Sequence, residues 1–210
     1  MKRLTASLAA ATCAFAVPAT AAPVSASAAP GQDPLVSVLT ADGDQFDKDR
    51  HDFDIVTEAA LAVVAAKPDS PVAVLADGSV RVTAFVPTDQ AFRLLAKDLT
   101  GKTIRSEEKL FGALVDLAGV DTIEQVLLYH VVPGATLTSS KVLKAHKAKL
   151  TTAQGGKVQV RIGNNHEGTV VKLRDRDRDD RDARVIAVDV NKGNKQVAHV
   201  VDRVLRPLNL

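Results

Sequence analysis

The chain has 210 residues, with 27 Lys and Arg against 25 Asp and Glu, a formal net charge of +2, 3% aromatic residues and no tryptophan. Setting aside Lys2 and Arg3 from the 27 leaves 25 basic against 25 acidic residues. A neutral chain poor in aromatic rings lacks the basic face and stacking side chains of nucleic-acid binders.

Lys2 and Arg3 precede an apolar run from Leu4 to Val17 and small-residue Ala-x-Ala sites at 19–21 and 26–28, the layout of an export signal. Residues 1–28 are therefore expected to be a signal peptide and the remainder to be secreted and extracellular. The run is shorter than the roughly 20 residues that span a bilayer, and no later stretch supplies such a span. The only cysteine, Cys13, lies within the signal, so disulfide, thiol and Cys-based metal chemistry are excluded from the rest. Residues 29–52 mix Pro, Ala, Ser, Gly and Asp without sustained periodicity and read as a flexible leader. Residues 53–210 suit one domain.

Within that domain, Phe53, Val56, Ala60, Val63 and Val64 recur at helical spacing, and Pro68 closes the helix. Val80, Val82, Ala84 and Val86 alternate as in a strand. Pro87 ends it, and Thr88 is placed to cap a helix carrying Ala91, Phe92, Leu95 and Leu99. Leu110, Phe111, Leu114 and Val115 mark a helix over 107–118. A further segment capped by Asp121 or Thr122 runs through Ile123, Val126 and Leu127 to end near Tyr129 and His130, before Pro133 and Gly134 turn the chain. The period then changes: Val158, Val160 and Ile162 alternate, residues 163–165 turn, and strands follow over 169–173, 185–190 and 197–205. Helices early and antiparallel-looking strands late imply an α+β fold rather than an alternating βαβ one.

The run over 174–184, RDRDRDDRDAR, spaces Asp175, Asp177 and Asp179 like a calcium loop. Asp180 stands where the loop needs glycine, and Ile186 where it needs a bidentate glutamate. A solvated hairpin extension or charged loop is the expectation, able to select a polyelectrolyte partner. His51, His146 and His166 are scattered, without metal-ligand spacing. There is no Gly-x-Ser-x-Gly elbow, no Arg-Gly-Asp tripeptide and no Asn-x-Ser/Thr acceptor. No metal or cofactor is expected.

Three blocks together resemble the fasciclin family: VTAFVPTDQAF over 82–92, LLYHVVPG over 127–134 and VAHVVDRVLRP over 197–207. The first carries Phe85, Pro87, Thr88, Ala91 and Phe92. The second carries Tyr129 and His130, and the third His199, Asp202 and Pro207. The chain departs from the family's usual pattern in AFVPT, where Phe-Ala-Pro-Thr is more common, and at Gln196 and Ala198, where Gly and a β-branched residue are frequent. The resemblance implies a fasciclin-like fold, with N-terminal helices packed on C-terminal antiparallel strands. It also implies a secreted adhesion or matrix-binding module rather than an enzyme. Partners would be cell-surface or extracellular-matrix proteins or polysaccharides.

In the family the tyrosine and histidine pair is linked to adhesion, so Tyr129 and His130 are the candidate binding residues; the other reading is that both tether the helix end to the sheet. His199 and Asp202, three apart on a strand, point to opposite faces and make a poor dyad. A carrier of an apolar ligand is one alternative function. A hydrolase using His130, His199 or Asp202 is another.

Overall fold

The computed structural model describes residues 31–208 other than 42, 44, 45 and 167; the expected signal peptide lies outside the described residues. Helix α1 (Val36–Leu39) is a single turn, and α2 (Asp54–Ala66) buries Ile55, Ala59 and Val63 along one face, the i, i+4, i+8 stripe of an amphipathic helix. Strand β1 (Val82–Pro87), buried at every position, feeds α3 (Asp89–Thr100). Thr88 occupies the N-cap of α3, but its side chain makes no capping bond. Asp89 N–H donates instead to the Asp52 carbonyl and Gln90 N–H to the Arg50 carbonyl, so the loop ahead of α2 satisfies the open end of α3. Helix α4 (Glu107–Tyr129) is interrupted at Gly119, with φ 72 and ψ 161, a conformation that favours a residue without Cβ. The break separates the two helical segments read from the sequence.

The strands that follow are β2 (Val131–Pro133), β3 (Lys149–Thr151), β4 (Lys157–Asn165), β5 (Gly168–Arg174), β6 (Ala183–Val190) and β7 (Gln196–Val201), with a one-turn helix α5 (Ser139–Val142) after β2. They form a seven-stranded sheet in the order β2-β1-β7-β6-β5-β4-β3. The sheet is mixed: β1 runs parallel to β7, Phe85 opposite His199, while the other pairs are antiparallel. Ala153 N–H reaches the Val131 carbonyl at 2.7 Å, so the two ends of the sheet curl toward each other. One core lies among the helices and one face of β1, around Ile55, Val63, Phe92 and Leu110. A second fills the inside of the curled sheet, around Phe85, Tyr129, Val160, Leu173 and Leu205. β7 ends at Val201, ahead of the extended run expected to reach 205, because Asp202 and Arg203 turn the chain before Leu205 re-enters the second core.

Two expectations are corrected. Part of the stretch 29–52, expected to be a flexible leader ahead of folding from Phe53, packs on the domain. Leu35 and Leu39 are 0% and 4% exposed in the helical core. Gln196 fixes this segment: its Oε1 accepts Leu35 N–H at 2.7 Å, and its Nε2 donates to the carbonyls of Val74 and Asp77. Glutamine at this family-variant position supplies three hydrogen bonds that glycine could not. The run 174–184 is likewise not simply solvated. Asp177 is 3% exposed and accepts from Arg206, itself 5% exposed, at 3.0 Å. A guanidinium 29 residues further on makes that burial tolerable.

Candidate functional site

Tyr129 and His130 close α4, and both side chains point into the protein. Tyr129 is 0% exposed, and its hydroxyl donates to the Lys157 carbonyl at 2.9 Å. A Cβ on Gly156 would stand 2.6 Å from the ring's Cε2, so glycine there lets the β3–β4 turn close over the ring. Burial pushes the phenol up to about 12. His130 Nδ1–H donates to the Val126 carbonyl at 2.7 Å, and Nε2 accepts Leu205 N–H at 2.8 Å. These partners select the Nδ1–H neutral tautomer, and burial lowers its pKa to about 4. The imidazole thus ties the last turn of α4 to the C-terminal segment.

His199 is held the same way. Its Nε2–H donates to the Leu137 carbonyl at 2.6 Å, its Nδ1 faces Asp189 N–H at 3.4 Å, and its ring stacks on Phe85 with centroids 5.8 Å apart. Burial lowers its pKa as well. Asp202 lies beyond the end of β7 and accepts Arg184 N–H at 2.7 Å, with the Arg184 side chain 3.5 Å away. The two residues serve different neighbours and form no dyad. Phe85, Ala91 and Phe92 are core, Thr88 and Pro87 are buried at the β1–α3 junction, and Pro207 is buried near the C-terminus.

The structure also assembles a group that the sequence reading passed over. Asp52, Asp89 and Glu107 each bring one oxygen within 4.8 Å of the others, a spacing open in principle to a hard cation. Two of the three acids have other partners, however. Glu107 is bound by Arg93 at 2.6 Å and by Asp47 N–H at 2.8 Å. Asp89 Oδ1 accepts Ile55 N–H at 3.1 Å. Asp52 Oδ1 and Asp89 Oδ2 are buried with no hydrogen-bond partner among the described residues. Burial first, then neighbouring carboxylates, raise Asp52 to about 7 and Asp89 to about 8. The available signal was FDKDRHDFD over 46–54 ahead of α2, but the acid that completes the pair, Asp89, lies beyond another strand.

An apolar groove of about 360 Å³ lies among α2, α3 and α4, lined by Ile55, Phe92, Leu95, Phe111, Leu114 and Ile123. Leu99 and Leu117 stand half-open at its rim. Among the described residues no helix is long and apolar enough to cross a membrane.

The sequence profile of the Fasciclin domain matches residues 57–207. A search of curated proteins found no match. Among solved structures the chain is similar to a FAS1 domain pair from the insect cell adhesion molecule fasciclin I, with a TM-score of 0.47 and 20% identity, covering 70% of this chain and 44% of that one. The chain therefore spans less than half of that structure's length.

Proposed function

This chain belongs to the fasciclin domain family, an adhesion-related and generally non-enzymatic module, and on that premise we propose that it is an exported adhesion module. Its partner is a cell-surface or extracellular-matrix protein or polysaccharide, bound without catalysis. The observation that carries this reading is the engagement of the would-be reactive groups. Both ring nitrogens of His130 and the carboxylate of Asp202 are held by backbone partners. Acid–base or nucleophilic chemistry needs such atoms within reach of a substrate. Tyr129 and His130 act in adhesion by positioning: they fix the α4–β2 corner and the C-terminal segment that support the binding surface.

The test is binding of the purified chain to intact cells and to envelope or matrix fractions, with Tyr129→Phe and His130→Gln compared by thermal melts. Binding by the parent chain, lost only in step with folding, is the expected result. No binding to any fraction overturns the adhesion reading. A variant that melts like the parent yet fails to bind overturns the positioning role. The apolar groove among α2, α3 and α4 supports a second reading, carriage of an apolar ligand, which native mass spectrometry of the purified chain tests directly.

A further inference from the structure

Strand register places three cations side by side. Arg161 on β4 is opposite Lys172 on β5, and Lys172 is opposite Arg184 on β6. Directly paired residues share a face, with side chains about 5 Å apart. Arg174, two positions beyond Lys172, projects from the same side. The opposite face of these strands carries Val160, Val171 and Leu173 into the second core, so the row is turned outward. Lys172, Arg174 and Arg184 are exposed and Arg161 is half-buried.

Like charges in direct cross-strand contact are destabilising, and compensation here is thin. Among the described residues, Arg184 has the Asp202 carboxylate at 3.5 Å, and no carboxylate lies within ion-pair range of Arg161, Lys172 or Arg174. The row borders a depression of about 450 Å³, to which His146 and Asn164 also contribute; among the described residues Asp182 is the one acidic side chain lining it. A chain with 27 basic and 25 acidic residues overall thus gathers four cations onto one patch of sheet.

We propose that this outward face of β4, β5 and β6 is the docking surface for an acidic polysaccharide, whose regularly spaced carboxylates meet the cation row. The proposal rests on the adhesion reading and names its partner class. Charge complementarity favours a polyanion. Among the described residues no Phe, Tyr or Trp lines the depression, which disfavours single-stranded nucleic acid, whose bases need stacking platforms. A row of cations across three strands suits a repeating polymer better than a single anion.

The experiment uses the full chain and immobilised polygalacturonate, with dextran, oligo-dT and phosphatidylglycerol vesicles as comparison surfaces. The paired variant Lys172→Gln/Arg174→Gln is measured beside Lys109→Gln, an exposed change on α4. Expected are binding to polygalacturonate and not dextran, weakening by about tenfold from about 50 to about 300 mM salt as the charges are screened. A further loss of about tenfold is expected in the paired variant alone, with a melting temperature no lower than the parent's. Absence of polygalacturonate binding at low salt, or equal binding by the paired variant, overturns the proposal. Tighter binding to oligo-dT or vesicles overturns the choice of partner. If the paired variant still adheres to envelope or matrix fractions, the adhesion reading stands and this surface fails. If polygalacturonate binds but no fraction does, the surface stands and the adhesion reading fails.

Discussion

The N-terminus of α3 and the β5–β6 connection are both acid-rich and both partly buried, yet they settle their charge in opposite ways. In the connection, Arg206 donates to Asp177 at 3.0 Å and to Asp98 at 2.8 Å and lies 3.4 Å from Asp180, which Arg203 also meets at 2.7 Å. At α3 the guanidinium of Arg93 reaches Glu107 but is not paired with Asp52 or Asp89, and these two hold a proton instead. Asp175 makes the same point inside the arginine-rich region. Its partner on the C-terminal segment is the backbone N–H of Arg206, not the guanidinium, and burial pushes it up to about 6. Burial of an acid is tolerated by a cation in direct contact or by neutralisation, and position decides which.

Removing the cation is the most severe way to break this contrast. Arg206→Met is expected to destabilise by about 3–5 kcal/mol, because Asp177 is left charged and enclosed, and urea unfolding at pH 7 measures it. A loss below about 1 kcal/mol would mean that the connection is effectively solvated.

Neutralising the acid pair acts in the other direction. Asp52 and Asp89 titrate above the unfolded value of 3.8, so the native state holds a proton that the unfolded chain releases. Stability therefore falls as pH rises from about 4 to about 8. Asp89→Asn keeps an acceptor for Ile55 N–H and offers a donor to Asp52. It is expected to shrink that decline to the part that Asp52 contributes and to gain on the order of 1 kcal/mol at pH 9 relative to parent, read from unfolding curves across pH. A parent curve flat between pH 6.5 and 8 would contradict the raised pair.

His130 has the opposite sign. Its native pKa of about 4 lies below the unfolded 6.5, so its contribution is present above 6.5 and lost as pH falls toward 4. In the parent chain this loss is offset by the acid pair over the same window. Asp89→Asn should unmask it, giving a steeper acid decline of up to about 1.4 kcal/mol per pH unit. An unchanged acid limb in that variant would count against a neutral, buried His130.

The smallest effect is expected at the surface, where Arg184→Gln removes a 3.5 Å pair to a partly exposed Asp202. Less than about 0.5 kcal/mol in thermal melts is the expected change; a larger loss would place that pair with the buried network.

The parts of the molecule legible in the sequence were those with local causes. Periodicity marked α2 and α4, the alternation at 158–162 marked β4, and the interruption near 119 was visible in the restart at Asp121 or Thr122. The change of period marked the α+β class, and the three blocks carried the resemblance to the fasciclin family. What escaped depended on partners far along the chain. Leu35 and Leu39 looked like leader because their clamp, Gln196, is 161 residues from Leu35. Asp177 looked solvated because Arg206, which Asp98 also holds, meets it only in three dimensions. Tyr129 and His130 stood out as residue types, but whether their polar atoms face outward depends on Lys157 and Leu205, which no spacing rule connects to them.

The parallel pairing of β1 with β7 also orders events in time. β1 is buried along its whole length and cannot complete its hydrogen bonds until residues 196–201 are available. A chain growing from its N-terminus therefore carries an open, apolar strand edge through most of its synthesis, a site prone to mispairing. Closure of the sheet's centre is a step of high contact order. A truncation within β7 forfeits more than a terminal strand, because it leaves unsealed the seam that joins the first half of the chain to the second.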